Sequence, residues 1–132
     1  MNNSLDLICI IDDDPIYTFA VRKLLKINNF SDNQLVFKNG KEALDGLITM
    51  RNKKDNLPDV ILLDINMPIM DGWEFLEAYK ISNFNKDIPI FITSSSVDNL
   101  DIRKATTNTL VNGYISKPLN NQSLQEIKRK CL

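Results

Sequence analysis

The sequence predicts a doubly wound α/β domain, in which a five-stranded parallel sheet carries helices on both faces. Two observations favour this fold class. Short apolar segments alternate along the chain with segments whose apolar residues follow helical spacing, which is typical of β-α-β units. The length of 132 residues suits one domain, and no repeat or interdomain linker is visible. Because connections between parallel strands are right-handed, successive helices should cover both faces of the sheet.

The five predicted strands are short and mostly rich in branched apolar residues. They cover residues 5–11, 34–37, 60–64, 88–92 and 111–116. Continuous apolar runs of this length are typical of parallel strands that are buried on both faces. The last of the five is more polar than the others.

The first helix is predicted to begin at Asp14 and Pro15. An Asp at the N-cap accepts hydrogen bonds from free backbone N–H groups, and proline suits the first helical position. The apolar face of this helix is predicted from four residues at helical spacing: Ile16, Ala20, Leu24 and Ile27. The polar residues that follow predict the end of the helix near residues 28–29.

Capping residues and apolar spacing also mark the later helices. The second helix is predicted to begin at Asn39-Gly40. The third begins after Asp71, where Glu74 three residues later resembles a capping box. The fourth is expected over about residues 98–107, and the fifth runs from the last strand towards the end of the chain.

Composition excludes several classes of function. The formal net charge of -1 gives no overall basic field for nucleic acid or an anionic membrane surface. No apolar stretch approaches the ~20 residues that span a bilayer, and no leader pattern opens the chain, so we expect a cytoplasmic protein. The absence of histidine excludes His-based catalytic triads and His-ligated zinc. The two cysteines lack metal-binding spacing and are expected to be reduced thiols.

Polar side chains stand at the ends of four of the five predicted strands. They are Asp12 with Asp13, Asp64, the pair Thr93 and Ser94, and Lys117. Because the carboxyl ends of parallel strands meet at one edge of a sheet, these side chains should converge there. Taken singly, an Asp after a strand is often a turn residue and a Lys is often a solvated charge. Their coincidence at successive strand ends favours a site.

The chemistry of these residue types points to phosphoryl transfer assisted by a metal ion. Three carboxylates in one pocket repel one another, and a bound cation usually relieves that repulsion. Oxygen ligands without His or Cys favour Mg²⁺ or Mn²⁺. A lysine and a hydroxyl at the same edge suit the oxygens of a phosphoryl group. Asp64 is then the candidate nucleophile that would form an aspartyl-phosphate.

Three motifs in this order and spacing resemble the receiver domain of two-component response regulators. They are Ile11-Asp12-Asp13-Asp14-Pro15, then Leu63-Asp64-Ile65-Asn66-Met67-Pro68 with Met70-Asp71-Gly72, and finally Lys117-Pro118. The resemblance covers about residues 5–131, so we expect residues 1–132 to be a single receiver domain with no output domain. It implies the flavodoxin-like strand order 2-1-3-4-5. It also implies a signalling protein rather than an enzyme, with only self-phosphorylation and self-dephosphorylation chemistry.

The resemblance assigns the phosphoacceptor and the metal ligands. Asp64 matches the phosphoacceptor. Asp13 matches the direct ligand of Mg²⁺, Asp12 acts mainly through water, and the backbone carbonyl of Asn66 completes the protein ligands together with Asp64.

The resemblance also assigns the residues that would read out phosphorylation. Lys117 matches the lysine that contacts the phosphoryl group, and its bond to the following proline is commonly cis in the family. Tyr114 matches the aromatic switch position. Counting five residues forward from Pro89 selects Ser94 as the switch hydroxyl, with Thr93 as the alternative. Counting backward from Lys117 selects the residue after Ser94, which implies one extra residue around the fourth helix.

The implied function is the acceptance of a phosphoryl group from a histidine kinase or a histidine phosphotransfer protein. Phosphorylation would change the face formed by the fourth helix, fifth strand and fifth helix, for an unknown downstream protein. We expect no contact with nucleic acid or membrane, and a monomer or a phosphorylation-dependent dimer. One alternative is a Mg²⁺-dependent phosphohydrolase, although such enzymes generally carry a second acid at the position of Asn66. Another is a receiver-like interaction module that is never phosphorylated, which would have no use for clustered acids.

Overall fold

The computed structural model describes residues 5–131 and contains one parallel sheet of five strands in the order β2-β1-β3-β4-β5. The strands are β1 (Ile8–Ile11), β2 (Gln34–Phe37), β3 (Val60–Asp64), β4 (Ile90–Ser94) and β5 (Val111–Ser116). The helices are α1 (Pro15–Ile27), α2 (Gly40–Asn52), α3 (Gly72–Ser82), α4 (Asn99–Thr107) and α5 (Asn121–Cys131). The predicted fold class and strand order are confirmed. The expected single domain over residues 1–132 includes residues 1–4 and 132, which lie outside the described residues.

Two apolar clusters lie on opposite faces of the sheet. Helices α2, α3 and α4 pack on one face, and α1 and α5 pack on the other. The strands supply both clusters by alternation, so that in β3 Ile61 and Leu63 join the first cluster while Val60 and Leu62 join the second. Within the described range no helix is long and apolar enough to cross a membrane.

The predicted apolar face of α1 is wrong. Ile16 and Ile27 are 81% and 77% exposed, whereas the buried residues of α1 are Thr18, Val21 and Leu25. The apolar residues of α1 span a wider arc than the face that packs on the sheet, so helical spacing alone does not select that face. The predicted N-cap and first helical residue of α1 are confirmed.

Two predicted strands begin too early. Strand β1 begins at Ile8 rather than at residue 5, because the backbone N–H groups of Asp6 and Leu7 donate to the Asp59 carboxylate at 2.9 and 3.0 Å instead of to a strand. Strand β4 begins at Ile90 rather than at residue 88. The intervening Pro89 has no N–H to donate to a neighbouring strand.

A one-residue register shift occurs between β4 and β5. Ile90 pairs with Val111 but Phe91 pairs with Gly113, so Asn112 is an additional residue in β5. The side-chain Oδ1 of Asn112 accepts from the Ile90 N–H at 3.2 Å, which fixes the irregularity. The additional residue lies between Ser94 and Lys117, within the segment over which the forward and backward counts differ by one residue.

Candidate functional site

Four of the predicted site residues meet at the carboxyl edge of the sheet. Asp12 and Asp13 follow β1, Asp64 ends β3, and Lys117 follows β5. The Lys117 Nζ lies 2.6 Å from Asp12 Oδ2 and 3.5 Å from Asp64 Oδ1. One carboxylate oxygen from each of the three Asp residues lies within 4.8 Å of the others. The predicted convergence of acids and lysine is therefore present in the structure.

The turn between β1 and α1 fixes the direction of the Asp12 carboxylate. Asp12 Oδ1 accepts from the Asp14 N–H at 3.0 Å, and Oδ2 contacts Lys117. Asp14 in turn caps α1 by accepting from the N–H groups of Ile16 and Tyr17 at 3.0 and 3.2 Å. The Asp12 side chain is only 1% exposed, whereas Asp13 is exposed to solvent.

The loop after β3 packs tightly against the backbone of Asp64. The Gly72 N–H donates to the Ile65 carbonyl at 2.8 Å, and a Cβ at Gly72 would lie 2.6 Å from the Asp64 carbonyl oxygen. A side chain at this position would collide with backbone, so glycine is required by close approach. Asp71 and Glu74 form the predicted capping box directly beside this contact.

The acidic cluster destabilises the ionised form of Asp64. Burial raises the pKa of Asp64 to about 6; the neighbouring carboxylates of Asp12 and Asp13 also raise it, and Lys117 opposes them. A single ammonium faces three carboxylates, so its charge does not balance the cluster. A bound cation would relieve the remaining repulsion.

The donor set of the cluster fits Mg²⁺ or Mn²⁺. All three acids offer oxygen ligands, and the chain contains no histidine. Asn66, whose backbone carbonyl is the predicted further ligand, lies in the exposed loop two residues after Asp64.

The structure places both candidate hydroxyl residues at the end of β4. Thr93 pairs with Asp64 across the β3–β4 ladder, so their side chains emerge on the same face of the sheet. The Ser94 Oγ accepts from the Ser96 N–H at 3.0 Å. Thr93 and Ser94 are 2% and 1% exposed. The role of Ser94 as the switch hydroxyl stays a prediction.

Tyr114 contacts the loop between β4 and α4. Its hydroxyl donates to the Ser96 carbonyl at 2.8 Å, and the Ser96 hydroxyl donates to Asp101 Oδ2 at 2.9 Å. Ser96 thus joins the predicted switch tyrosine, the end of β4 and the first turn of α4. The role of Tyr114 as a switch residue also stays a prediction.

Tyr17 is a neighbour of the site that the sequence analysis missed. The Lys117 Nζ lies 4.2 Å from the centroid of the Tyr17 ring. The wrong choice of apolar face for α1 concealed this residue. The spacing of Tyr17, Val21 and Leu24 is also helical, and it would have directed Tyr17 towards the sheet.

Comparison with known proteins identifies the family. The response regulator receiver domain family matches residues 8–129. The chain is 30% identical to the probable methanogenesis regulatory protein FilR2 of Methanothrix harundinacea, over 93% of this chain and 77% of that protein. It is 29% identical to the sensor histidine kinase CheAY of Helicobacter pylori, over 96% of this chain but only 15% of that protein. The crystal structure of a two-component response regulator from Cytophaga hutchinsonii superimposes with a TM-score of 0.88, at 28% identity and 97% coverage of both chains.

These similarities agree with the geometry at the carboxyl edge. Receiver domains bind Mg²⁺ at an acidic pocket, and the cluster of Asp12, Asp13 and Asp64 provides one here. Receiver domains are signalling modules rather than dedicated enzymes. The chain belongs to the response regulator receiver domain family, the phosphorylation-based signalling modules of two-component systems.

Proposed function

We propose that this chain accepts a phosphoryl group on Asp64 from the phosphohistidine of a histidine kinase or histidine phosphotransfer protein. The observation that supports this most is the position of the Asp64 carboxylate, which is buried beside two further acids and 3.5 Å from Lys117. A carboxylate in a site with one lysine and a metal-binding acid cluster suits phosphoryl transfer better than a structural role.

In the proposed reaction, a carboxylate oxygen of Asp64 attacks the phosphorus of the phosphohistidine. The new O–P bond forms as the N–P bond breaks, and the electron pair of the broken bond leaves with the imidazole of the donor protein. Lys117 is placed to stabilise the charge on the transferred phosphoryl oxygens. Mg²⁺ held by Asp12, Asp13, Asp64 and the Asn66 carbonyl would supply further positive charge against those oxygens.

Phosphorylation would then change the partners of Lys117 and Ser94. Lys117 now donates to Asp12 at 2.6 Å, and phosphoryl oxygens on Asp64 would compete for its ammonium. The Ser94 Oγ, which accepts from the Ser96 N–H, would leave that contact and donate its hydroxyl proton to a phosphoryl oxygen. Because Ser96 also holds the Tyr114 hydroxyl, this exchange would release or reposition Tyr114. Such a switch needs differential contacts of only a few kcal/mol between two states.

The proposed output face is formed by α4, β5 and α5. A groove of about 910 Å³ runs between β5 and α5 and includes Tyr114, Glu126 and Arg129 in its lining. Val97, two residues before α4, and Leu100, in its first turn, are 85% and 65% exposed. Exposed apolar side chains and a polar groove both suit a protein partner, and Tyr114 belongs to the groove as well as to the proposed switch.

Incubation with Mg²⁺ and acetyl phosphate, followed by intact mass measurement, tests the proposal. We expect one phosphoryl group on the wild-type protein, none after removal of Mg²⁺ with EDTA, and none on Asp64→Ala. Asp45→Ala is a matched control, since Asp45 forms only an exposed pair with Lys41; this variant should be labelled like the wild type. Equal labelling of Asp64→Ala and wild type would contradict the proposal, and sustained release of phosphate would favour the phosphohydrolase alternative.

A further inference from the structure

Tyr17 lies in the first turn of α1 and faces the ammonium of Lys117. The Nζ atom is 4.2 Å from the ring centroid, well inside the roughly 6 Å limit for an attractive cation–π contact. The same atom is 2.6 Å from Asp12 and 3.5 Å from Asp64. The aromatic ring is thus a third neighbour of a cation whose other neighbours are two carboxylates.

The surroundings of Lys117 make the ring contact effective. The Lys117 side chain is only 17% exposed and Asp12 is 1% exposed, so little water competes with the ring for the ammonium. Cation–π attraction is stronger in such desolvated positions than at exposed ones. A lysine stem is flexible, and a fixed ring beside it removes part of that freedom.

The position of Tyr17 is fixed by the turn that also fixes Asp12. The carboxylate of Asp14 accepts from the Tyr17 N–H at 3.2 Å, and the Asp14 N–H donates to Asp12 Oδ1 at 3.0 Å. Asp12 and Tyr17 both contact Lys117. Because Asp14 bonds to both residues, it fixes their positions relative to each other.

The ring rather than the hydroxyl of Tyr17 makes the contact. Within residues 5–131 the buried Tyr17 hydroxyl has no partner in hydrogen-bonding geometry, although Thr93 lies beside it. Burial foremost, with contributions from Asp12 and Asp64, raises the pKa of Tyr17, while Thr93 lowers it. The side chain is therefore a neutral phenol at physiological pH, and its ring face is available to the cation.

We propose that Tyr17 is a positioning residue of the phosphoryl-acceptor site, whose ring holds the Lys117 ammonium between Asp12 and Asp64. This inference rests on the proposed function, because the positioned ammonium acts on a phosphoryl group carried by Asp64. In this proposal Tyr17 acts on that group only through Lys117.

Beryllofluoride, which mimics a phosphoryl group on Asp64, provides the functional test. With Mg²⁺ present, Tyr17→Leu should weaken beryllofluoride affinity by about fivefold to tenfold, since a desolvated cation–π contact is lost. The conservative Tyr17→Phe should restore the affinity to within about twofold of wild type, because it keeps the ring. In a Lys117→Ala background, Tyr17→Leu should have no further effect. An equal loss in that background would show a merely structural role and overturn the proposal.

Phe19→Leu is the matched control. Phe19 is an exposed aromatic residue of the same helix, and its ring lies 5.1 Å from the ammonium of Lys23. The Phe19→Leu replacement removes an aromatic–lysine pair of the same kind that lies outside the acceptor site. Beryllofluoride affinity should therefore stay at the wild-type value. A loss equal to that of Tyr17→Leu would assign the effect to α1 packing and contradict the proposal.

An NMR measurement on the unphosphorylated protein decides the question without phosphoryl chemistry. The Lys117 Hε protons should be shifted upfield by the ring in wild type and Tyr17→Phe, and should move to ordinary lysine values in Tyr17→Leu. Circular dichroism checks that Tyr17→Leu is folded. Unchanged Hε shifts in a normally folded Tyr17→Leu variant would overturn the proposal. Failure of wild type to bind beryllofluoride would contradict the proposed function, whereas the NMR shifts would still test the contact of Tyr17 with Lys117.

Discussion

Asp64 has Lys117 on one side, the lysine side, and the residues Ser94 and Tyr114 on the other, the hydroxyl side. The two sides differ in how far their contacts already suit a phosphoryl group. On the lysine side, Lys117 already contacts Asp12 at 2.6 Å and Asp64 at 3.5 Å. On the hydroxyl side, Ser94 and Tyr114 both bond to the backbone of Ser96, within the loop between β4 and α4. The positive charge of Lys117 is thus already beside Asp64, whereas the proposed switch hydroxyl of Ser94 is held by the β4–α4 loop. The conformational change of the proposed switch therefore falls on the β4–α4 loop.

The largest loss of stability is expected from a substitution at Gly72, which packs against the backbone of Asp64. Gly72→Ala would place a methyl group 2.6 Å from the Asp64 carbonyl oxygen and should lower the free energy of unfolding by about 3 kcal/mol. Urea unfolding measures this. In the control Gly46→Ala, the methyl group meets only the half-buried Phe37 ring, which can rotate away. A loss no larger than that of the control would show that the loop after β3 is not fixed as described.

Lys117→Ala breaks the lysine side alone. Without Mg²⁺ it leaves the buried Asp12 carboxylate unpaired and should cost about 2 kcal/mol of stability, with part of the loss recovered when Mg²⁺ is added. Lys41→Ala is the control, because Lys41 and Asp45 form a pair that is 62% exposed on both sides; it should change stability by less than about 0.5 kcal/mol. Thermal unfolding with and without Mg²⁺ compares them. Equal losses of stability in Lys117→Ala and Lys41→Ala would mean that Lys117 does not compensate the negative charge of the buried carboxylates.

Asp64→Asn tests how the charge of Asp64 changes the stability of the protein with pH. The pKa of Asp64 is raised from 3.8 to about 6 in the folded protein, so the folded state retains a proton that the unfolded state loses between these values. Its contribution to stability is greatest at low pH and falls as the pH rises through this window. Asp64→Asn should therefore be more stable than wild type by about 1 to 2 kcal/mol near pH 7 without Mg²⁺, and nearly equal at about pH 4. Urea unfolding in EDTA at both pH values checks this, and a constant difference between them would contradict it.

Tyr114→Phe tests the hydroxyl side and should have the smallest effect. Loss of the bond to the Ser96 carbonyl should cost about 0.5 to 1 kcal/mol and speed amide hydrogen exchange in residues 95–98. Tyr79→Phe is the control, because the buried Tyr79 hydroxyl has no hydrogen-bond partner among residues 5–131 and its removal should cost nothing. Unchanged exchange in Tyr114→Phe would show that this bond does not hold the loop.

Elements with strong local chemistry were predictable from the sequence. The boundaries of β5, the Asp14 and Asp71 caps and the acids and lysine at the strand ends each carry their own signal, and parallel pairing then brings the strand ends together. The packed face of α1 was predicted wrongly, because two sets of apolar residues have helical spacing and the set containing Ile16 and Ile27 is mostly exposed.

The remaining misses depend on contacts between distant segments. The register shift at Asn112 is fixed by a side-chain bond to β4, and the contact of Tyr17 with Lys117 joins the first helix to the residue that follows the last strand. The choice between Thr93 and Ser94 depends on how each hydroxyl would move in the proposed phosphorylation of Asp64, which spacing does not encode.

The most direct test of the central role of Asp64 is to locate the phosphoryl group itself. An acyl phosphate is reduced by borohydride to the corresponding alcohol, so phosphorylated Asp becomes homoserine and unmodified Asp does not. After treatment with acetyl phosphate and Mg²⁺, peptide mass mapping should find homoserine at position 64. Homoserine at position 12 or 13, or its absence from all three positions, would contradict the assignment of Asp64 as the phosphoacceptor.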